Sequence, residues 1–157
     1  MSVFDAREIL LFAIRIEENG EAFYRNMSAK LPEPRIQDLF RHLAGQELVH
    51  RDIYRSMLSK LQAYTPPETY TDEYGAYLRA YVDNKIFNAG RLDEYAAAIT
   101  TAKAAIDFAI DRELESILYY QEILMVVPEE QKNEINKIIG EEKNHFMKLS
   151  ELRKTIA

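Results

Sequence analysis

The chain contains one helical segment twice, and this repeat limits the folds that are open to it. The segment FAIRIEENGEAFY at 12–24 aligns with FAIDRELESILYY at 108–120, and the alignment sets Glu17 against Glu113. The neighbouring Glu18 has a leucine opposite it, so Glu17 is the carboxylate that both copies keep. A glutamate retained in the middle of an otherwise apolar helical pattern calls for a chemical reason.

Each copy of the segment is followed by a second shared motif. GQELVH in the first half and GEEKNH in the second place a glutamate and a histidine three residues apart, as Glu47 with His50 and Glu142 with His145. Glu47 lies 30 residues after the repeated glutamate of its own half, and Glu142 lies 29 residues after its counterpart. The sequence therefore predicts a duplicated helical hairpin.

Apolar residues recur at intervals of three and four along most of the chain, and prolines mark the breaks. Short connections within each half indicate antiparallel neighbours, whereas about 40 residues separate the halves and can cross the length of a bundle. The prediction is an all-α fold, an antiparallel four-helix bundle with one long crossover between its second and third helices. The four long helices are expected at about 3–29, 34–62, 100–126 and 128–155.

The crossover is rich in tyrosine, and four of its tyrosines follow a helical spacing of 4, 3 and 4. This spacing predicts a short helix at about 70–82. The aromatic stripe either packs the crossover onto the bundle or a second subunit, which we favour, or serves a redox role. The tyrosines concerned are Tyr64, Tyr70, Tyr74, Tyr77 and Tyr81.

Composition excludes several classes of function. With 157 residues, of which 47% are hydrophobic, the chain suits one domain at 1–157. A net charge of −6 argues against a nucleic-acid partner, and the absence of cysteine excludes disulfides and thiolate metal sites. No apolar stretch reaches the roughly 18 residues of a membrane span or forms a signal peptide, so a cytoplasmic location without membrane contact is expected.

The retained carboxylates are predicted to meet at one level of the bundle, because each lies near the middle of its helix. Residues three apart share a helix face, so each Glu-x-x-His pair aims a carboxylate and an imidazole at the same place. Four unpaired buried carboxylates would be costly, whereas two divalent cations would neutralise them. The pattern matches the general ligand set of di-iron and di-manganese carboxylate bundles. The expected ligands are Glu17, Glu47, His50, Glu113, Glu142 and His145.

The alternative of a chance pattern has to be weighed for each motif. A single Glu-x-x-His in a helix is weak evidence, because helices are rich in exposed glutamate. Two such pairs at matching distances from a repeated glutamate are much harder to dismiss. The remaining histidine, His42, lies about 140° round its helix from Glu47 and is expected at the surface.

With these residues in place, the chain resembles the rubrerythrin-like branch of the ferritin-like di-iron carboxylate superfamily. The resemblance covers most of the chain and includes the tyrosines seven residues after Glu17 and Glu113. It implies two iron ions bridged by Glu47 and Glu142, with manganese or zinc as possible substitutes. It also implies that the two other glutamates are terminal ligands, with one histidine per metal, and that Tyr24 and Tyr120 hydrogen-bond to the carboxylates.

Two departures from the family pattern bear on activity. Full-length rubrerythrins carry a small domain that holds iron through four cysteines, so a chain without cysteine is expected to use a separate donor, such as a rubredoxin-like protein. The peroxidase type has a further glutamate where Ser116 stands here, with Gly20 at the matching place in the first helix. We expect these small residues to leave room for a small oxidant. Glu21 is either a supplementary carboxylate or, more simply, an exposed partner for Arg25.

The resemblance favours an oxidoreductase that reduces hydrogen peroxide or dioxygen, in the role of a rubrerythrin, with a homodimer as the expected assembly. A ferritin-like ferroxidase or iron-handling protein is the alternative. A helical interaction module with a structural or zinc site is a third class, but it would not explain the small residues beside the ligands.

Overall fold

The computed structural model describes residues 6–61, 72–81 and 89–156, and all regular structure in these ranges is helical. The all-α prediction is therefore confirmed. None of the described helices is both long and apolar enough to span a bilayer. The six helices are α1 (Ala6–Lys30), α2 (Pro34–Lys60), α3 (Asp72–Tyr81), α4 (Ala89–Ala98), α5 (Ala102–Ile123) and α6 (Glu129–Lys154).

The helix ends follow from local chemistry. Proline stands in the first turn of α2, where its missing N–H costs nothing and its fixed φ suits the helix. The Thr101 hydroxyl caps α5 by accepting the Ala104 N–H at 3.2 Å. Glu129 and Glu130 occupy the first turn of α6, where the helix dipole favours negative charge.

The four long helices form two hairpins that pack side by side. α1 packs chiefly against α2, and α5 against α6, through connections of a few residues. Further contacts join α1 to α5 and α2 to α6, which closes a four-helix bundle. The bundle confirms the predicted topology, with boundaries displaced by up to three residues, and leaves the single domain over 1–157 a prediction. The first residues of the first predicted helix, 3–5, lie outside the described ranges.

The crossover contains the short helix that the tyrosine spacing predicts, as α3. Its last residue, Tyr81, stacks on Tyr119 of α5, with ring centroids 6.0 Å apart and planes at 13°. Its hydroxyl donates to the Glu115 carbonyl at 2.5 Å. This confirms packing onto the bundle for Tyr81, whereas Tyr77 is 47% exposed. Tyr64 and Tyr70 lie outside the described residues.

A second crossover helix, α4, is present although the sequence analysis did not anticipate it. Its ten residues contain a glycine and only two large apolar side chains, Leu92 and Tyr95, so its apolar pattern is short. Tertiary contacts stabilise it instead: Lys30, at the end of α1, donates to the carbonyls of Ala96 and Ala97 at 2.9 and 3.2 Å. A lysine in this place satisfies the free carbonyls at a helix C-terminus.

The core consists of two apolar layers, one toward each end of the bundle. The first layer includes Ile9, Leu10, Tyr54, Ile117 and Ile138, and the second includes Phe23, Phe40, Leu43, Ile106 and Leu149. In each long helix the chain passes from one layer to the other through a buried glutamate, at 17, 47, 113 or 142. The fold therefore places one polar level between two apolar layers.

Candidate metal centre

Six buried side chains from the four long helices converge at this polar level. Each is at most 5% exposed. α1 and α5 each contribute one glutamate, and α2 and α6 each contribute a glutamate and a histidine one turn apart. The set is the one expected from the sequence: Glu17, Glu47, His50, Glu113, Glu142 and His145.

The six side chains form two overlapping groups, each suited in composition to one metal ion. Glu17 and His50 join Glu47 and Glu142 in the first group, and within it one donor atom per residue lies within 4.8 Å of every other. In the second group, Glu113 and His145 join the same two glutamates under the same limit. Sharing of Glu47 and Glu142 is the arrangement that two bridging carboxylates require. The role of each residue as a ligand stays a prediction.

The two histidines face the carboxylates with the same ring nitrogen. His50 Nδ1 lies 2.7 Å from Glu142 Oε1 and 3.5 Å from Glu17 Oε2. His145 Nδ1 lies 3.4 Å from Glu142 Oε2 and 3.7 Å from an oxygen of both Glu47 and Glu113. The two rings are nearly parallel, with centroids 5.7 Å apart. The histidines thus approach from one side of the level and share Glu142 between them.

The donor atoms themselves indicate that the residues fit a pair of metal ions. Several buried atoms at the level have no hydrogen-bond partner among the described residues, and even the close approach of His50 to Glu142 lies outside hydrogen-bond geometry. Buried polar atoms are seldom left in this state, because each one loses its hydration without replacement. Nitrogen and carboxylate oxygen donors suit iron, manganese or zinc. The atoms are Glu17 Oε2, Glu47 Oε1, His50 Nδ1, Glu142 Oε1 and His145 Nδ1.

Two tyrosines hold Glu17 and Glu113 by reaching across the bundle. The Tyr24 hydroxyl on α1 donates to Glu113 Oε1 on α5, and the Tyr120 hydroxyl on α5 donates to Glu17 Oε1 on α1. Each tyrosine thus binds the glutamate of the other repeat, which preserves the two-fold relation of the halves. The family resemblance predicts these contacts with carboxylates, and the structure confirms them.

The charges of the level are unbalanced without metal. Burial, together with the neighbouring carboxylates, raises the pKa of Glu17, Glu47 and Glu113 above the ordinary value of 4.5. Burial acts in the same direction on Glu142, but contacts with Glu113 and with the two histidines lower its pKa. Four carboxylates carry four negative charges, which two divalent cations would balance. In the metal-free protein, bound protons have to supply this positive charge instead of the cations.

The histidines hold part of this proton charge. Burial by itself lowers the pKa of His50, but the Glu142 and Glu17 carboxylates beside it raise this pKa to about 11. The same competition, with Glu113 and Glu142 as the partners, raises the pKa of His145 to about 9. Both shifts express a strong attraction of the level for positive charge.

Gly20 lies directly beside the Glu47 carboxylate. A Cβ atom at position 20 would overlap Glu47 Oε2, so the carboxylate would have to move. Beside this glycine, a pocket of about 250 Å³ that includes open solvent reaches the level and is lined by the Glu47 and Glu113 side chains. Its other lining residues are Ile16, Gly20, Phe23, Tyr24, Arg112 and Ser116. The small residues at 20 and 116 therefore border an opening to the carboxylates.

The repeated glycines of the two motifs behave differently from Gly20. A Cβ atom at Gly45 or Gly140 would meet nothing within 4 Å. Their shared position therefore has no steric cause in the structure.

Two further expectations concern residues near the level. Glu21 pairs with Arg25 at 2.5 Å, as expected, but its side chain is only 20% exposed. His42 is exposed, as expected, and Lys148 lies 3.4 Å from its ring.

Sequence reasoning missed Glu141, whose carboxylate contacts the outer nitrogen of His50 at 2.5 Å. The repeat identifies only its neighbour Glu142, which aligns with Glu47 of the first half. The pair of glutamates in GEEKNH, against Gln-Glu in GQELVH, was the available signal.

Comparison with known proteins agrees with this geometry. The model of the family described as Rubrerythrin matches residues 8–153. A crystal structure of a Thermotoga maritima protein described as ferritin-like and diiron-carboxylate has a TM-score of 0.69 and 28% sequence identity. That match covers 98% of this chain and 97% of the other. Among curated proteins no match is found.

Gly20→Ala should weaken metal binding without lowering the stability of the metal-free fold. The new methyl group forces the Glu47 carboxylate to move, so we expect weaker metal binding, although alanine favours the helix by about 1 kcal/mol. Gly45→Ala is the matched control, because it offers the same gain in helix propensity in open space. Metal titration and melting of the metal-free proteins measure the two effects. Equal metal binding by both variants would contradict the role of Gly20.

The metal-free protein should lose stability as the pH rises from about 5 to about 9. Three glutamates and both histidines have a pKa above the unfolded value of 4.5 or 6.5, so the native state holds their protons more tightly. This stabilisation is complete below the unfolded pKa and is lost as the pH passes through the folded one. The lowered pKa of Glu142 acts only below this range. Melting temperatures after chelation measure the trend, and a flat or rising profile would refute it.

Proposed function

Because this chain belongs to the rubrerythrin family, we propose that it is a two-metal oxidoreductase that reduces hydrogen peroxide or dioxygen. The proposed ligands are the six side chains of the polar level, with Glu47 and Glu142 as bridges, and the metal proposed is iron. Electrons come from a separate donor protein, such as a rubredoxin-like protein. The family membership and the Glu/His composition of the level support this choice.

The observation that carries the proposal is the pocket beside Gly20. It gives a small molecule a way to the Glu47 and Glu113 carboxylates, and apolar layers cover the level toward both ends of the bundle. A purely structural metal site would gain nothing from such an opening, since structural sites are closed by their ligands. Peroxide and dioxygen are among the smallest oxidants, as an opening this narrow requires.

Reduction of hydrogen peroxide to two waters consumes two electrons and two protons. A pair of bound iron ions would supply the electrons and orient the oxygen–oxygen bond. The protein supplies the surroundings: Tyr24 lines the pocket and orients Glu113 through its hydroxyl. Burial and the Glu113 charge raise the pKa of Tyr24 far above 10, so the phenol keeps its proton beside the pocket. Arg112 adds a cation to the same wall.

The proposal has three further parts, which concern the electron donor, the assembly and the location. The chain has no cysteine to hold an electron-transfer iron, which supports an external donor. Leu114 and Leu118 are exposed one turn apart on α5, and Leu118 borders a pocket together with the half-exposed Tyr77; this apolar surface supports a homodimer. The cytoplasmic location also remains part of the proposal.

The direct test is turnover. Protein loaded anaerobically with Fe(II), two ions per chain, should be oxidised by hydrogen peroxide and reduced again by a rubredoxin-like donor through many cycles. Iron analysis and the optical spectrum of the oxidised form give stoichiometry, and donor oxidation gives the rate. Oxidation of added Fe(II) without donor-driven cycling would indicate a ferroxidase instead. Two bound ions with neither reaction would refute the oxidoreductase.

The two tyrosines provide a matched pair for this assay. Both hydrogen-bond to a terminal glutamate, but Tyr24 lines the pocket and Tyr120 is not among its lining residues. Tyr24→Phe should lower kcat/KM for peroxide by about 10- to 100-fold, the usual effect of removing the hydrogen-bond partner of a metal ligand, here Glu113 beside the pocket. Tyr120→Phe should cause a smaller loss. Equal losses would show that the pocket is not the route of the oxidant.

A further inference from the structure

The outer edge of the His50 ring has a carboxylate partner that the six-residue site does not include. His50 Nε2 lies 2.5 Å from Glu141 Oε2, across the interface between α2 and α6. The histidine is fully buried, whereas the Glu141 side chain is 48% exposed. Glu141 thus reaches from the surface to the side of the ring that faces away from the other carboxylates.

This contact determines which nitrogen of His50 can bind a metal. If Nε2 carries the hydrogen and donates it to Glu141, Nδ1 keeps its lone pair, and Nδ1 is the atom that faces Glu142 and Glu17. A carboxylate behind a ligand histidine also makes the ring a stronger electron donor. The contact therefore orients the ring and strengthens its bond to a metal.

The matching place in the first half of the repeat holds an uncharged residue. Glu141 precedes Glu142 in GEEKNH, and Gln46 precedes Glu47 in GQELVH. The two-fold relation of the halves would place Gln46 beside His145, as Glu141 lies beside His50. A glutamine cannot supply the negative charge, so the otherwise symmetric level carries a charge difference behind its two histidines.

We propose that Glu141 is a positioning residue that makes the two metal positions unequal, the one at His50 binding its ion more tightly than the one at His145. This inference rests on the proposed two-metal function. It follows from the Glu141–His50 contact and from the Gln46 substitution at the matching place. An unequal pair fills in order, and its two ions differ in how readily they give up an electron.

The test is a titration of the metal-free protein with cobalt(II), followed by calorimetry and by the visible absorption of the bound ion. The wild type should bind two ions in two steps of different affinity. Glu141→Ala should weaken the tighter step by about 10- to 100-fold, the usual effect of removing the partner of a ligand histidine. Glu141→Gln, which keeps an oxygen acceptor without the charge, should weaken it less. Gln46→Ala is the matched control and should leave the tighter step unchanged.

The reciprocal substitution excludes a merely structural role. Gln46→Glu places a carboxylate behind His145 and should tighten the weaker step, bringing the two affinities together. Two ions bound with both steps unaffected by Glu141→Ala would overturn the inference and leave the two-metal site intact. A wild type that binds no pair of ions would instead overturn the proposed function. Weakening of both steps together with a lower melting temperature of metal-free Glu141→Ala would assign the residue to the fold and refute the proposal.

Discussion

The mutual repulsion of four buried carboxylates is the constraint on which the rest of the structure depends. Glu17, Glu47, Glu113 and Glu142 lie between two apolar layers, and each would be more stable in water. Helix packing can hold them there only if positive charge is brought in. Protons on the two histidines and on some of the carboxylates supply it in part, and metal ions would supply it fully. Without metal ions, the centre of the bundle thus lacks part of the positive charge that would balance its four carboxylates.

Duplication meets this constraint at low cost and also explains where the halves differ. Each hairpin has one glutamate on its first helix and Glu-x-x-His on its second. Because the hairpin occurs twice, every donor residue has an equivalent residue in the other half. The departures lie beside the donors: Gly20 against Ser116, Gln46 against Glu141, and Phe23 against Tyr119. The first pair borders the opening to the carboxylates, and the second sets a charge behind one histidine. The repeated residues therefore supply the donor atoms, and the residues that differ between the halves make the surroundings of the two halves of the site unequal.

The six converging side chains and the bundle could be predicted because both depend on spacing along single helices. Glu47 and His50 share a helix face whatever the neighbouring helices do, and the repeat relates one hairpin to the other. Glu141 could not be found in this way, because its contact with His50 joins two helices and depends on their distance and rotation. The helix α4 was missed for a similar reason, since its apolar pattern is short and Lys30, from another part of the chain, binds its last carbonyls. Spacing along one helix also could not reveal that Tyr24 and Tyr120 each bind the glutamate of the other half.

The polar level is proposed to hold two metal ions which share Glu47 and Glu142. The most direct measurement is a crystal structure of protein loaded with Fe(II) under anaerobic conditions, with anomalous diffraction recorded on both sides of the iron edge. The account predicts two anomalous peaks inside the bundle, one near Glu17 and His50 and one near Glu113 and His145. A single peak, or peaks only on the surface with these side chains unchanged, would contradict it.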